Sequence, residues 1–223
     1  MRRIKADGSA ARIAIASLAG ISLIAQIRVP ERTVTGTVIS SERDPKIRIE
    51  LPATAHYIGA DRWPLYDIAD CELHAFVETG TNKIVRRLYW IQFEQYLPTR
   101  PDLHHTYDSL RTATLGGMSF YVDTWARPAN APTRPGSDVE HMRGLVRAKG
   151  YSLPGSMMSV RLVHLLDDAK RKELMIIYSE DLSPTGFTAD DLSPSGRARN
   201  HWPEIDKALL YRALAQVKIV QPG

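Results

Sequence analysis

The sequence predicts an α+β fold: a curved, mainly antiparallel sheet carrying one mid-chain helix and one C-terminal helix. Short runs rich in β-branched and aromatic residues follow one another through turn-like segments, the order expected of strands that pair sequentially. Two later stretches carry helix punctuation. Neither strand–helix alternation nor a GxGxxG or GxxxxGK[ST] loop is present, so neither a doubly wound sheet nor a nucleotide cofactor is expected.

The first thirty residues, "MRRIKADGSAARIAIASLAGISLIAQIRVP", set a basic start before an apolar run from Ile13 to Ala25. The run has the length of a signal-peptide core and falls short of the roughly 20 residues of a full membrane span. Its large residues spread around a helical wheel, as in a segment surrounded by lipid or translocon. Leu23 fits the small-x-small cleavage rule poorly, so residues 1–28 are expected to act as a signal peptide or a retained membrane anchor. A chain exported to the periplasm or tethered to a membrane follows.

Residues 29–223 are expected to form one α+β domain, since 43% hydrophobic and 24% charged residues is ordinary globular composition. The single cysteine, Cys71, excludes an intramolecular disulfide and any CxxC site. Arg2, Arg3, Lys5 and Arg12, set against Asp7, supply +3 of the net +4, leaving the rest nearly neutral. With no basic recognition helix and no RNP-type strand, nucleic acid is not an expected partner.

In chain order, "TVTGTVIS" and "PKIRIEL" read as strands separated by "SERDP". "CELHAFVE" and "KIVRRLYWIQFEQYL" read as a hairpin around "TGTN", and "MSFYVDTW" follows a Gly-Gly break. Ser137 and Glu140 form a capping-box pattern, Val139, Met142, Leu145 and Val146 make an apolar stripe, and Gly150 closes the helix. "SMMSVRLVHLL" and "KELMIIYSE" are apolar on both faces, as central covered strands are. His164 in the first of these is expected to be a satisfied core imidazole. The last helix begins at Pro203, with Glu204 and Asp206 in its first turn.

The hairpin at 71–94 is the most informative segment. Pairing Thr79 with Lys83 across a three-residue loop puts Cys71, Leu73, Ala75, Val77, Val85, Tyr89, Ile91 and Phe93 on one face, with Arg87 the only charge. The other face then holds Glu72, His74, Phe76, Glu78, Arg86, Leu88, Trp90, Gln92 and Glu94. Mixed aromatic and ionisable residues suit the lining of a ligand cavity, and equally an exposed amphipathic face. A slip of one residue would exchange the faces.

"RPDLHHTYDS", residues 100–109, lies just beyond Glu94 and is read as a loop at the rim of that face. Adjacent histidines in an extended loop point in opposite directions, so His105 is expected to turn inward and His104 outward, with Tyr107 packed on the sheet. No bound metal or other cofactor is expected, because no second ligand pair stands at a recognisable spacing. The duplicated "DLSPTG" and "DLSPSG" read as turns, with Thr188 and Asp191 forming a small cap between them. Arg197 and Arg199 beside Gly196 are a candidate anion site.

Together these features predict an exported or membrane-tethered domain without a recognisable catalytic motif. It is expected to bind a small amphipathic or aromatic ligand, or a protein partner, through Glu72, His74, Arg86, Trp90, Gln92, Glu94, His105 and Tyr107. Two alternatives stand beside it: a hydrolase- or lyase-type enzyme using His74 with Glu72 or Glu94, and a non-catalytic accessory subunit of a membrane complex.

Overall fold

The structure, a computed structural model, describes residues 28–80 and 82–221. The proposed signal or anchor segment lies almost wholly outside the described residues. Among those that are described, no helix is long and apolar enough to cross a membrane.

The chain first builds a small sheet from β1 (Thr33–Thr35), β2 (Val38–Ser41) and β3 (Ile47–Glu50). "TVTGTVIS" is thus two strands, because Gly36 at φ +59° reverses the chain between them. Next come β4 (His56–Leu65), β5 (Ala69–Thr79), β6 (Val85–Tyr96), β7 (Thr112–Leu115) and β8 (Met118–Pro128). Helix α1 (Asp138–Ala148), strands β9 (Ser156–Leu165) and β10 (Lys172–Asp181), helix α2 (Trp202–Gln216) and β11 (Lys218–Val220) complete it.

The large sheet has the order β4-β5-β6-β10-β9-β8-β7, antiparallel throughout, and β11 returns to pair with β3 in the small sheet. Strand β10 is the middle strand of seven, which explains why "KELMIIYSE" is apolar on both faces. On one face, Phe76, Tyr89, Ile91, Phe120, Leu162 and Tyr178 meet Ile39, Ile47 and Ile49 of the small sheet and Leu209 and Ala213 of α2. On the other, Leu73, Trp90, Val163, Met175 and Ile177 meet Met142 and Val146 of α1. Each large side chain sealed this way contributes about 1.5–3 kcal/mol.

Strand β4 has no clear signature in the sequence. Gly59 makes a bulge at φ +130°, and Pro64 and the charged Asp61 and Arg62 interrupt the pattern. It is tolerated because β4 is an edge strand, where a missing proline N–H removes no ladder bond. The expected capping box of α1 is also altered. Ser137 is the N-cap but its hydroxyl pairs with Thr133 Oγ1 at 2.6 Å, and Glu140 accepts instead from the Gly136 amide at 2.5 Å.

The central correction concerns the β5–β6 hairpin. Thr79 pairs with Val85, not Lys83, across residues 80–84, and a bulge between Glu78 and Thr79 sets Glu78 opposite Arg87 and Cys71 opposite Glu94. This exchanges the faces of β6 relative to β5. Glu72, His74, Phe76 and Glu78 share a face with Arg87, Tyr89, Ile91 and Phe93, whereas Trp90, Gln92 and Glu94 lie beside Cys71, Leu73 and Ala75.

Candidate functional site

Read across the strands, the face beneath α1 is a grid. Cross-strand neighbours give the rows Cys71–Glu94–Glu173–Leu165, then Leu73–Gln92–Met175–Val163–Tyr121, then Ala75–Trp90–Ile177–Arg161–Asp123, then Val77–Leu88–Ser179–Ser159–Trp125. The grid is apolar where α1 packs and polar at the end where Glu94 and Glu173 meet.

Between this face and α1 lies a cavity of about 540 Å³. Trp90, Trp125, Met142, Met157, Met175 and Ile177 are among its apolar lining, and Asp123, Asp138, Arg127, Arg143, Arg161, Ser159 and Ser179 among its polar lining. The serines bond to each other at 2.8 Å, so the floor presents no orphaned hydroxyl. Arg161 is held to Asp123 by a 2.5 Å ion pair and sits over the Tyr107 ring, 5.3 Å from its centroid.

Beside the cavity is a buried polar cluster. Trp90 Nε1 donates to Gln92 Oε1 at 2.9 Å, and Gln92 Nε2 and Cys71 Sγ both donate to Glu94 Oε2, at 3.1 and 3.3 Å. Burial, then the nearby Glu173 and Asp138 carboxyls, push Glu94 up to about 8. Glu173 rises to about 7, mainly through burial, although it accepts a hydrogen bond from the Tyr107 hydroxyl. Burial also raises Asp138, the first residue of α1, whose Oδ1 is buried without a partner. His105 Nδ1 stands 3.0 Å from Glu173 Oε2, while its Nε2 is buried with no hydrogen-bond partner. Burial brings this imidazole down to about 4, so it is neutral at neutral pH.

The loop that delivers His105 is fixed by Arg171. Its guanidinium donates to the carbonyls of Leu97, Arg100 and Leu103 at 3.0, 2.8 and 2.6 Å, and the His105 amide donates to Lys170 at 2.7 Å. The His105 ring packs 4.4 Å from that of Tyr96, and Tyr107 stacks on Tyr121 at 5.6 Å. His105 is buried and His104 is exposed, the alternation an extended loop imposes.

The candidate ligand residues therefore fall into separate places. Trp90, Gln92, Glu94, His105 and Tyr107 converge beneath or beside α1. Glu72 and His74 lie on the opposite face, where His74 Nε2 is 2.8 Å from Glu72 Oε1 and Tyr57 reaches His74 Nδ1 at 3.2 Å. Glu72 also accepts from the Glu31 and Arg32 amides, each at 2.8 Å, and from the Arg32 guanidinium at 3.1 Å. Burial alone would raise Glu72, but these hydrogen bonds outweigh it and hold it at about 2. This closed clasp ties the entering chain to β5, and it separates His74 from Glu94 by the thickness of the sheet. Arg86 is exposed at the hairpin end.

Arg197 binds Asp191 at 2.5 Å and the Gly196 amide donates to the Ser193 carbonyl at 2.8 Å, while Arg199, the other candidate anion ligand, is exposed at the start of the turn that leads into α2. Gly196 is dictated by space: a Cβ there would sit 2.2 Å from the Asp191 carbonyl oxygen. Thr188 and Asp191 bond reciprocally, at 2.9 and 3.2 Å, as a cap. His164 is satisfied by the Ser119 carbonyl at 2.8 Å.

A second cleft, of about 340 Å³, crosses the strand ends and is lined by Glu31, Arg43, Arg62, Asp44, Lys172 and the Glu94–Glu173 pair, among others. Its surface charges are neutralised within it: Arg62 by Glu31 and Asp70, Arg43 by Glu31, and Lys172 by Asp44. Such satisfied pairs offer a ligand little.

Sequence reasoning missed Glu173, Asp138, Arg161 and Asp123. A signal existed for Glu173, a lone carboxylate leading the apolar run "LMII", since a charge in a strand covered on both faces requires partners. No known protein family, curated protein or solved structure matches the chain.

Proposed function

We propose that this protein binds a small amphipathic or aromatic molecule in the cavity between the large sheet and α1, and that residues 1–28 bring it to or across a membrane. The observation that carries the reading is the cavity itself. Its volume of about 540 Å³ falls within the range of ligand sites, and aromatic and thioether side chains share its wall with charged and hydroxyl groups, among them Arg127, Arg143, Arg161 and Asp138. Methionines at Met142, Met157 and Met175 adapt to irregular apolar shapes. The Asp138 carboxyl, whose Oδ1 has no hydrogen-bond partner, supplies a polar contact that orients a ligand.

Docking of a protein partner on a flat apolar face has less support. Among the described residues, the large exposed hydrophobic side chains, Val29, Tyr57, Leu110 and Tyr211, belong to four different segments of the chain.

The test uses a polarity-sensitive naphthalene sulfonate dye, whose emission rises on entering an apolar cavity. Wild-type protein is expected to bind one equivalent. A variant combining Ser159→Phe and Ser179→Ala, which fills the cavity floor without orphaning a hydroxyl, is expected to lose that binding while remaining folded. Equal binding by both proteins, or none by the wild type, contradicts the reading. Fractionation tests the targeting half: full-length protein in the soluble cytosol with its N-terminus intact would overturn it.

A further inference from the structure

The polar cluster at the end of the grid has the makeup of a cation site. Glu94, His105 and Glu173 each bring one donor atom within 4.8 Å of the others, and Glu94 belongs also to a second such group with Cys71 and Asp138. Three carboxyl groups thus lie close together, and Arg161, which acts on Glu173, is already paired with Asp123. Carboxylates gathered in a largely buried site gain from a cation that several of them can share.

A second observation separates this cluster from a merely acidic corner. His105 is only 6% exposed, and its Nε2 has no hydrogen-bond partner. Buried imidazoles are normally satisfied at both nitrogens; here Nδ1 faces the Glu173 carboxyl at 3.0 Å and Nε2 has no protein partner, so the ring keeps unused donor or acceptor capacity beside the acidic cluster. Asp138 Oδ1 is orphaned in the same way. The site is held firmly. Arg171 fixes the loop bearing His105, and Gln92 and Cys71 grip Glu94. Entry is open, since Glu94 and Glu173 line the solvent-connected cleft of about 340 Å³.

We propose that Glu94, His105 and Glu173 form a binding site for one divalent transition-metal ion. Ligand oxygens and nitrogens about 2.0–2.2 Å from one ion stand roughly 3–4 Å apart, so small side-chain rotations close the site. One imidazole with two carboxylates suits zinc, iron or manganese, and excludes the soft sites that cuprous copper selects. The inference does not depend on the cavity binding an organic ligand.

The experiment is titration of full-length protein, purified without a polyhistidine tag and stripped with chelator, using Zn²⁺ and separately Mn²⁺, read by calorimetry and thermal shift. One equivalent of at least one ion is expected to bind and raise the melting temperature. His105→Ala, and the isosteric Glu94→Gln and Glu173→Gln in case the first fails to fold, are each expected to weaken binding at least tenfold. His104→Ala, on the exposed side of the same loop, is expected to leave it unchanged. Absence of binding by the folded wild type, binding unaffected by all three ligand variants, or loss in Cys71→Ser with retention in His105→Ala would overturn the proposal.

Discussion

Glu94 and Glu173 stand directly opposite each other across the β6–β10 ladder, on the face that α1 covers. Like charges at facing positions in a sheet destabilise it, so each carboxyl needs its own compensation. Glu94 has the thiol of Cys71 and the amide of Gln92, and Glu173 has the Tyr107 hydroxyl and the His105 ring.

Tyr107→Phe removes the hydroxyl that serves Glu173 and preserves the ring stacked on Tyr121. A buried carboxyl deprived of a donor costs about 1–3 kcal/mol. Urea denaturation of metal-free protein is expected to show that loss; an unchanged midpoint would mean water replaces the hydroxyl.

Acid is expected to open the Glu72 clasp. Glu72 ionises at about 2 in the folded chain against its usual 4.5, so its stabilisation is complete above pH 4.5 and is lost as pH falls from there through 2. The difference corresponds to about 3 kcal/mol. Glu72→Gln should therefore be less stable than wild type at neutral pH by roughly that amount, and the two stability curves should converge below pH 3. Curves that run parallel across this range would show that Glu72 does not carry the acid sensitivity.

Trp90 and Arg86, four residues apart on β6, are expected to behave oppositely. Trp90 is buried, lines the cavity and donates to Gln92, so Trp90→Ala should cost about 3–5 kcal/mol and impair dye binding. Arg86→Ala at an exposed position should change stability by less than about 0.5 kcal/mol and leave binding intact. Thermal melts with dye titration check both; a binding defect in Arg86→Ala would relocate the site to the hairpin end.

Much of the fold was legible because its elements carry strong local patterns. Alternation and β-branched runs mark β5, β6, β9 and β10, and the apolar stripe with Gly150 marks α1. Strand β4 was hidden because its pairing compensates for Gly59 and Pro64, which local preference rejects. The site was legible only in part. Strand alternation marks Trp90, Gln92 and Glu94, and the loop that follows Glu94 marks His105 and Tyr107, but a bulge beside Thr79, which no residue pattern announces, puts Glu72 and His74 on the far side of the sheet. Glu173 and Arg161 join the cluster through long-range pairing, and a single sequence carries little information about which distant strands become neighbours.

The central claim is that the cavity beneath α1 holds a small molecule, and native mass spectrometry of protein isolated from its own host tests it most directly. The account predicts a discrete organic adduct at one per chain, absent from the Ser159→Phe, Ser179→Ala variant isolated in the same way. The bare mass of the chain alone, or the same adduct on the filled variant, would contradict it.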